Sequence, residues 1–393
     1  MAGLRFLTGG ESHGKGLTAL IEGLPAGLPL SEDDIAGDLA RRQGGYGRGG
    51  RMKIEKDRAE IRGGVRHGLT LGSPVALWIE NLDWVNWAEK MSAEPVEYPG
   101  ERVTRMRPGH ADMPGALKYG FSDVRNVLER ASARETAARV AVGAVAKRLV
   151  AEFGVHFRSH TLSIGNVEAA VLAELDWAAV DASPVRCADA SASEAMVAAI
   201  DAQKPNGDTL GGVVEVRAIG APLGLGSHVH WDRKLDGRIA QAVCSINAFK
   251  GVDFGDGFAG TTRPGSEVHD VILPAEQWQG RSWRHGSNRH GGIQGGMSTG
   301  EDIVVRGAVK PIPTLAHPLP SIDLDTGEKV LAHHERSDVC VVPAAGVVAE
   351  AMVAIVIAEA WMEKFGGDTL ESLRRAYDLH MSGLVPRNQL PDG

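Results

Sequence analysis

The run from Val339 to Met362 is the most apolar stretch of the 393-residue chain, interrupted only by Glu350 and Glu359. Rich in alanine and apolar on all sides, it predicts a buried helix over about Ala344–Phe365 rather than a membrane span. Such a helix needs other layers packed around it. A second long, Ala-rich pattern covers Asp123 to Phe153, with Val127, Ala131, Val142, Val145 and Leu149 as its apolar stripe and Gly154 as its stop. Ser31, followed by Asp34, Ile35 and Leu39, predicts a capped helix to about Arg42, broken by Gly44–Gly50. Pro74–Glu80, Gly212–Ile219 and Asp302–Val309 read as strands, and Ala182–Ser193 as a loop. The strands cluster apart from the long helices, without the regular alternation of a doubly wound sheet. The expectation is therefore an α+β layered fold forming one unit over residues 1–393.

Charge and cysteine content narrow the function. Against 42 Lys and Arg stand 50 Asp and Glu, a formal net charge of −8, which argues against a general nucleic-acid binder. Cys187, Cys244 and Cys340 are far apart and form no C-x-x-C, so neither a disulfide framework nor a zinc site is expected. Met1–Gly10 has no signal or transit pattern, and the expected setting is reducing and cytoplasmic, with no membrane role. Glycine is the outlier: 50 residues, about twice average usage, with no G-X-Y period.

The glycines gather at motifs that carry chemistry. Gly9-Gly10-Glu11-Ser12-His13-Gly14 follows the strand-like Leu4–Leu7 and leaves Ser12 and His13 at a strand end, a position suited to proton transfer or simply to a polar turn. Between residues 41 and 66 there are nine Lys or Arg and three acids. That excess points to an anion site, a solvated basic loop being the alternative. Arg105-Met106-Arg107-Pro108-Gly109-His110-Ala111-Asp112 sets a second histidine in a glycine-bounded turn. Downstream, Arg130 and Arg134 stand four apart and are expected to share one helical face, Ser132 lying off it. Gly286–Gly300 contains six glycines, suited either to a flat ring or phosphate against bare backbone or to a flexible loop. It matches neither G-x-G-x-x-G nor a P-loop. In His333-His334-Glu335-Arg336-Ser337-Asp338, Arg336 offers an anion contact and Asp338 a proton acceptor. No metal site is expected there.

Jointly and in order, Gly10–Gly14, Arg41–Arg51, Arg107–Lys118, Leu128–Arg139, Ser287–Glu301, Lys310–Thr314 and Arg336–Asp338 resemble the chorismate synthase family over nearly the whole chain. The resemblance implies a β-α-β sandwich with helical layers between antiparallel sheets, usually a homotetramer. It implies 1,4-anti elimination of phosphate from 5-enolpyruvylshikimate 3-phosphate to give chorismate, with reduced FMN (FMNH2) required but no net redox change. His13 matches the histidine that protonates the departing phosphate, and His110 the one that protonates reduced flavin. Ser12 and Ser132 match serines of the proton network, and Asp338 the aspartate that assists transfer of the substrate proton. Arg42, Arg48, Arg107, Arg134 and Arg336 match substrate-binding arginines. Arg130, Ala131, Ser132, Asn247, Ala248, Gly295, Lys310, Pro311, Ile312, Pro313, Thr314 and Arg336 match flavin contacts. His290 departs from the family, many members having a small residue there.

An arginine cluster and a histidine are what phosphate departure needs, and a triply anionic substrate accounts for basic loops in an acidic protein. Two other classes stay open on residues alone: a flavin- or RNA-binding module without catalysis, and a flavin oxidoreductase acting on an acidic metabolite. Without a Rossmann fingerprint, dependence on an external flavin reductase is favoured over the chain's own use of NADPH.

Overall fold

The computed structural model describes residues 3–50, 56–97, 100–170, 172, 174–278, 281–335 and 337–384. Four antiparallel strands, in the order Arg5–Gly9, Gly16–Glu22, Val75–Glu80 and Ala59–Gly63, form one sheet. Five more, ordered Phe249–Phe254, Ile303–Val309, Gly212–Ile219, His156–Ile164 and Val167–Glu168, form the other. The helices Glu32–Gln43, Thr136–Ala151, Leu235–Cys244 and Val342–Phe365 pack between them. The expected α+β sandwich is therefore the fold of this chain, and alternation along each strand explains it. Leu17, Ala19 and Ile21 are buried against the helices while Leu20 is exposed. In the second sheet Val214, Val216 and Ala218 are likewise buried, as a sheet with one face on a core requires.

The apolar helix begins at Val342, two residues before its expected start, and 94% of its most apolar window is buried. Its neighbour Thr136–Ala151 approaches so closely at Gly143 that a Cβ there would collide with Ala351. Glu350 lies wholly inside the protein, 2.5 Å from Arg41 Nη2 and 2.8 Å from Lys147 Nζ, and accepts from Ser159 Oγ. Burial raises its carboxyl, but Lys147 and Arg41 outweigh burial and hold it well below the usual range. The helix tolerates this charge because it is fully paired.

Two expectations are corrected. The segment 123–153 is not one helix: it comprises Arg125–Leu128, a turn, the 3₁₀ piece Ala133–Glu135 and Thr136–Ala151. Within 182–193 only 183–189 is a loop: Ala182 ends the helix Trp177–Ala182, and Asp189 caps a helix over Ala190–Gln203, its side chain accepting from Ala192 N. The capped helix at Ser31 runs over Glu32–Gln43, with Asp34 closing the capping box.

Candidate active site

The break in the 123–153 segment builds the centre of the site. With the helix interrupted at Glu129–Ser132, this backbone lies against the loop after the first strand. Ser12 N donates to Glu129 O at 3.0 Å, and Ser132 Oγ donates to Ser12 Oγ at 3.1 Å. The break also separates the two arginines expected to share a helical face. Arg130 donates to the carbonyls of Gly10 and Thr8, whereas Arg134 turns inward to Asn81 Oδ1 at 3.0 Å and to the Asp57 carboxylate.

His13 is held on two sides. Its Nδ1 lies 3.0 Å from both Glu129 carboxylate oxygens, its backbone N–H donates to Glu129 Oε2 at 2.8 Å, and its ring stacks on Trp87 with centroids 3.9 Å apart. Arg125 donates to the same carboxylate at 3.0 Å and lies over the Trp87 ring. Asn81 Nδ2 donates to the carbonyls of Glu11 and Gly14, so it clamps the turn that carries His13.

The arginines form a second layer. Arg42 and Arg134 are both about 5% exposed and share the buried Asp57 carboxylate; Arg42 also donates to Thr136 Oγ1 and Ala133 O. Their like charges could not lie this close without the shared anion. Arg48 Nη1 donates to Arg42 O, and its Nε is 3.1 Å from Asp338 Oδ2. Asp338 accepts from Gly49 N, where a Cβ would stand 2.7 Å from Ser337 O. Arg51, Lys53 and Arg336 lie outside the described residues.

His110 sits in a more local construction. Its Nδ1 is 2.5 Å from Asp112 Oδ1, and Asp112 also takes Arg107 Nε at 2.8 Å and Arg107 N at 3.0 Å. Burial raises the Asp112 carboxyl, but the hydrogen bonds from His110 and Arg107 more than reverse this and hold it well below the usual range. Arg107 reaches Thr314 Oγ1 at 3.1 Å and Glu335 Oε2 at 3.5 Å. Lys310 Nζ donates to Gly109 O at 2.7 Å. Burial and the neighbouring Lys250 charge lower the Lys310 ammonium.

Glu335 pairs with Arg107 and with His333, whose Nε2 is 3.4 Å from its Oε1. Burial raises its carboxyl, but the hydrogen bond from His333 and the charges of Arg107, His333 and His13 bring it down to about 2. Of the expected flavin contacts, Asn247 Nδ2 donates to Ala131 O at 2.8 Å, Lys310 N donates to Ala248 O at 2.9 Å, and Thr209 Oγ1 donates to Ile312 O. Gly295 stands apart: its hairpin turn abuts Leu235, at the other end of the helix Leu235–Cys244 from Asn247, about 15 Å away along the axis. Most of the glycine-rich 286–300 segment is held by the protein itself. Asp270 accepts from Ser287, Arg289 and His290, and a Cβ at Gly292 would meet Asp302 O. Gly295 alone among 291–296 has open space for a Cβ.

Residue reading assigned no role to Glu129, Asp57, Asn81 or Trp87. Only Asp112, two residues from His110, carried a local signal in its spacing. His290 faces His269, ring nitrogens 3.3 Å apart, beside a cavity of about 390 Å³ lined by Phe254, Asp256 and Arg289. A second cavity of about 390 Å³ holds Glu215, Arg217 and Arg306. Neither is lined by His13 or His110, so the departure at His290 leaves both histidine centres untouched.

The family model for chorismate synthase matches residues 4–362. The chorismate synthase of Moorella thermoacetica is 59% identical over 370 residues, covering 93% of this chain and 95% of that protein. The chorismate synthase of Symbiobacterium thermophilum is 56% identical, covering 98% of this chain and 100% of its own length. A crystal structure of chorismate synthase superposes with a TM-score of 0.78 at 43% identity, covering 98% and 99% of the two chains.

Proposed function

This chain belongs to the chorismate synthase family, a carbon–oxygen lyase of the shikimate pathway acting on a small molecule, and on that premise we propose that it eliminates phosphate from 5-enolpyruvylshikimate 3-phosphate in a 1,4-anti sense. What supports the reading is the gathering of cations: Arg107 grips Asp112 beside His110 and lies 3.5 Å from Glu335, while Arg42 and Arg134 share Asp57. A triply anionic substrate needs such a concentration of cations.

His13 donates a proton to the departing phosphate, with Ser12 and Ser132 relaying from behind. Arg42, Arg48, Arg107, Arg134 and Arg336 bind phosphate and carboxylates, and Asp338 assists transfer of the substrate proton. The family implies a flavin, and FMN is the form we assign. Lys310 with Lys250 close by, the Thr314 hydroxyl and the bare Gly109, where a Cβ would meet Lys310 Nζ at 3.2 Å, suit a ring bearing an anionic tail. Arg130, Ala131, Ser132, Asn247, Ala248, Arg336 and the Lys310–Thr314 backbone complete that set, with Gly295 contributing from the far end of the helix Leu235–Cys244, and His110 holds a proton at the flavin edge. When bound, reduced FMN supplies electron density transiently and regains it, so the reaction has no net redox change. We assign a homotetramer in the cytoplasm, served by an external flavin reductase.

The test is an anaerobic assay with the enolpyruvyl substrate and chemically reduced FMN. Chorismate and phosphate should appear one for one without consumption of reductant. No chorismate would overturn the reading, and stoichiometric oxidation of reductant would move the chain to the oxidoreductases.

A further inference from the structure

Within that reading of the reaction, we propose that Glu129 is the positioning residue that sets the tautomer of His13. Four donor contacts converge on its carboxylate, which is 2% exposed. Oε2 accepts from His13 N at 2.8 Å, both oxygens face His13 Nδ1 at 3.0 Å, and Oε1 accepts from Arg125 Nη1 at 3.0 Å. A carboxylate among such partners only accepts. His13 Nδ1 therefore carries hydrogen, and Nε2 is the nitrogen turned away from Glu129. Trp87 covers a face of the ring, and Asn81 clamps the turn beneath it. Rotation is blocked, so the choice of nitrogen is built in.

This choice decides whether His13 can serve as the acid. In the donating state both ring nitrogens bear protons. As the phosphate leaves, the Nε2–H bond breaks, a phosphate O–H bond forms, and the electron pair stays on Nε2. The product is the neutral Nδ1–H ring, the tautomer that Glu129 binds. A ring forced into the opposite tautomer has an Nε2 proton but no second proton at Nδ1, and releasing it would leave an imidazolate. Glu129 touches neither substrate nor flavin in this account. It acts through His13, as a buried carboxylate does behind a catalytic histidine.

Glu129→Gln separates position from tautomer. It keeps volume but replaces one acceptor with an NH2 group. Among Arg125, His13 N and Nδ1–H, that NH2 must either confront another donor or donate to Nδ1 and reverse the tautomer. Two readouts decide the proposal: kcat and KM with reduced FMN, and ¹⁵N NMR of histidine-labelled protein, with His13→Ala identifying the His13 signal. The wild type should show protonated Nδ1. Glu129→Gln should lower kcat by roughly 10²–10³ with KM within about threefold and move the proton to Nε2, and Glu129→Asp should recover part of kcat. An unprotonated Nδ1 in the wild type overturns the proposal even if the Gln variant fails to fold. So does a Gln variant whose kcat stays within about threefold of wild type, or one that loses kcat with the tautomer unchanged. If the wild type makes no chorismate, the reaction assigned above fails, while the ¹⁵N spectrum still judges Glu129.

Discussion

His13 and His110 are both backed by a buried carboxylate at Nδ1, yet they are built by opposite means. Asp112 lies two residues from His110, and the same carboxylate grips the Arg107 backbone and guanidinium. Glu129 lies 116 residues from His13 and reaches it only because the helix expected over 123–153 breaks there. The local construction ties one histidine to Arg107, an arginine proposed to bind substrate. The long-range construction ties the other to a stacked tryptophan and a serine pair. A single substitution at Asp112 should therefore damage binding and turnover together, whereas one around His13 should damage turnover alone.

The largest expected effect is that of Asp112→Ala. It removes the nearest counter-ion of the Arg107 guanidinium, about 6% exposed, and leaves only Glu335 at 3.5 Å; removing one partner of a buried pair costs about 3–5 kcal/mol. Urea unfolding should show that loss, and KM should rise with kcat falling. A variant of wild-type stability and KM would erase the distinction between the two centres.

Glu335, paired with Arg107 and His333, gives the intermediate effect. Its folded-state value of about 2 lies below the ordinary 4.5, so its stabilisation is complete above pH 4.5 and is lost as the pH falls toward 2. The amount is on the order of 2 kcal/mol, because solvent screens a carboxylate about 25% exposed. Glu335→Gln should flatten that limb of the stability–pH curve, and an unchanged curve would show that its pairing with Arg107 and His333 adds no stability.

Trp87→Leu should have the smallest effect. Ring stacking is worth about 0.5–1.5 kcal/mol, so kcat should fall roughly three- to tenfold with KM unchanged. An equal fall in flavin affinity would show that Trp87 serves the whole cleft rather than His13.

What was readable beforehand follows the same divide. The capped helix at Ser31, the strand Gly212–Ile219 and the buried helix ending at Phe365 rest on local periodicity, and each lies where that periodicity put it. The alanines of 131–146 carry helical propensity straight through Glu129–Ser132, and only tertiary contacts with Ser12 and Thr8 break the helix there. Asp57 illustrates the other limit. In the sequence it is one acid among nine cations, and only the fold shows that it is the anion between Arg42 and Arg134. Glycine density has a structural cause in part, since a Cβ at Gly292 would meet the Asp302 backbone.

On the reaction proposed above, His13 acts on the leaving phosphate and not on substrate binding. A single-turnover experiment under anaerobic conditions, with reduced FMN and ³¹P detection of phosphate, tests it most directly when wild type and His13→Ala are compared at saturating substrate. His13→Ala should bind the enolpyruvyl substrate within about threefold of wild type but release phosphate roughly 10²–10⁴ times more slowly. Phosphate release at the wild-type rate, or a loss confined to substrate affinity, would contradict it.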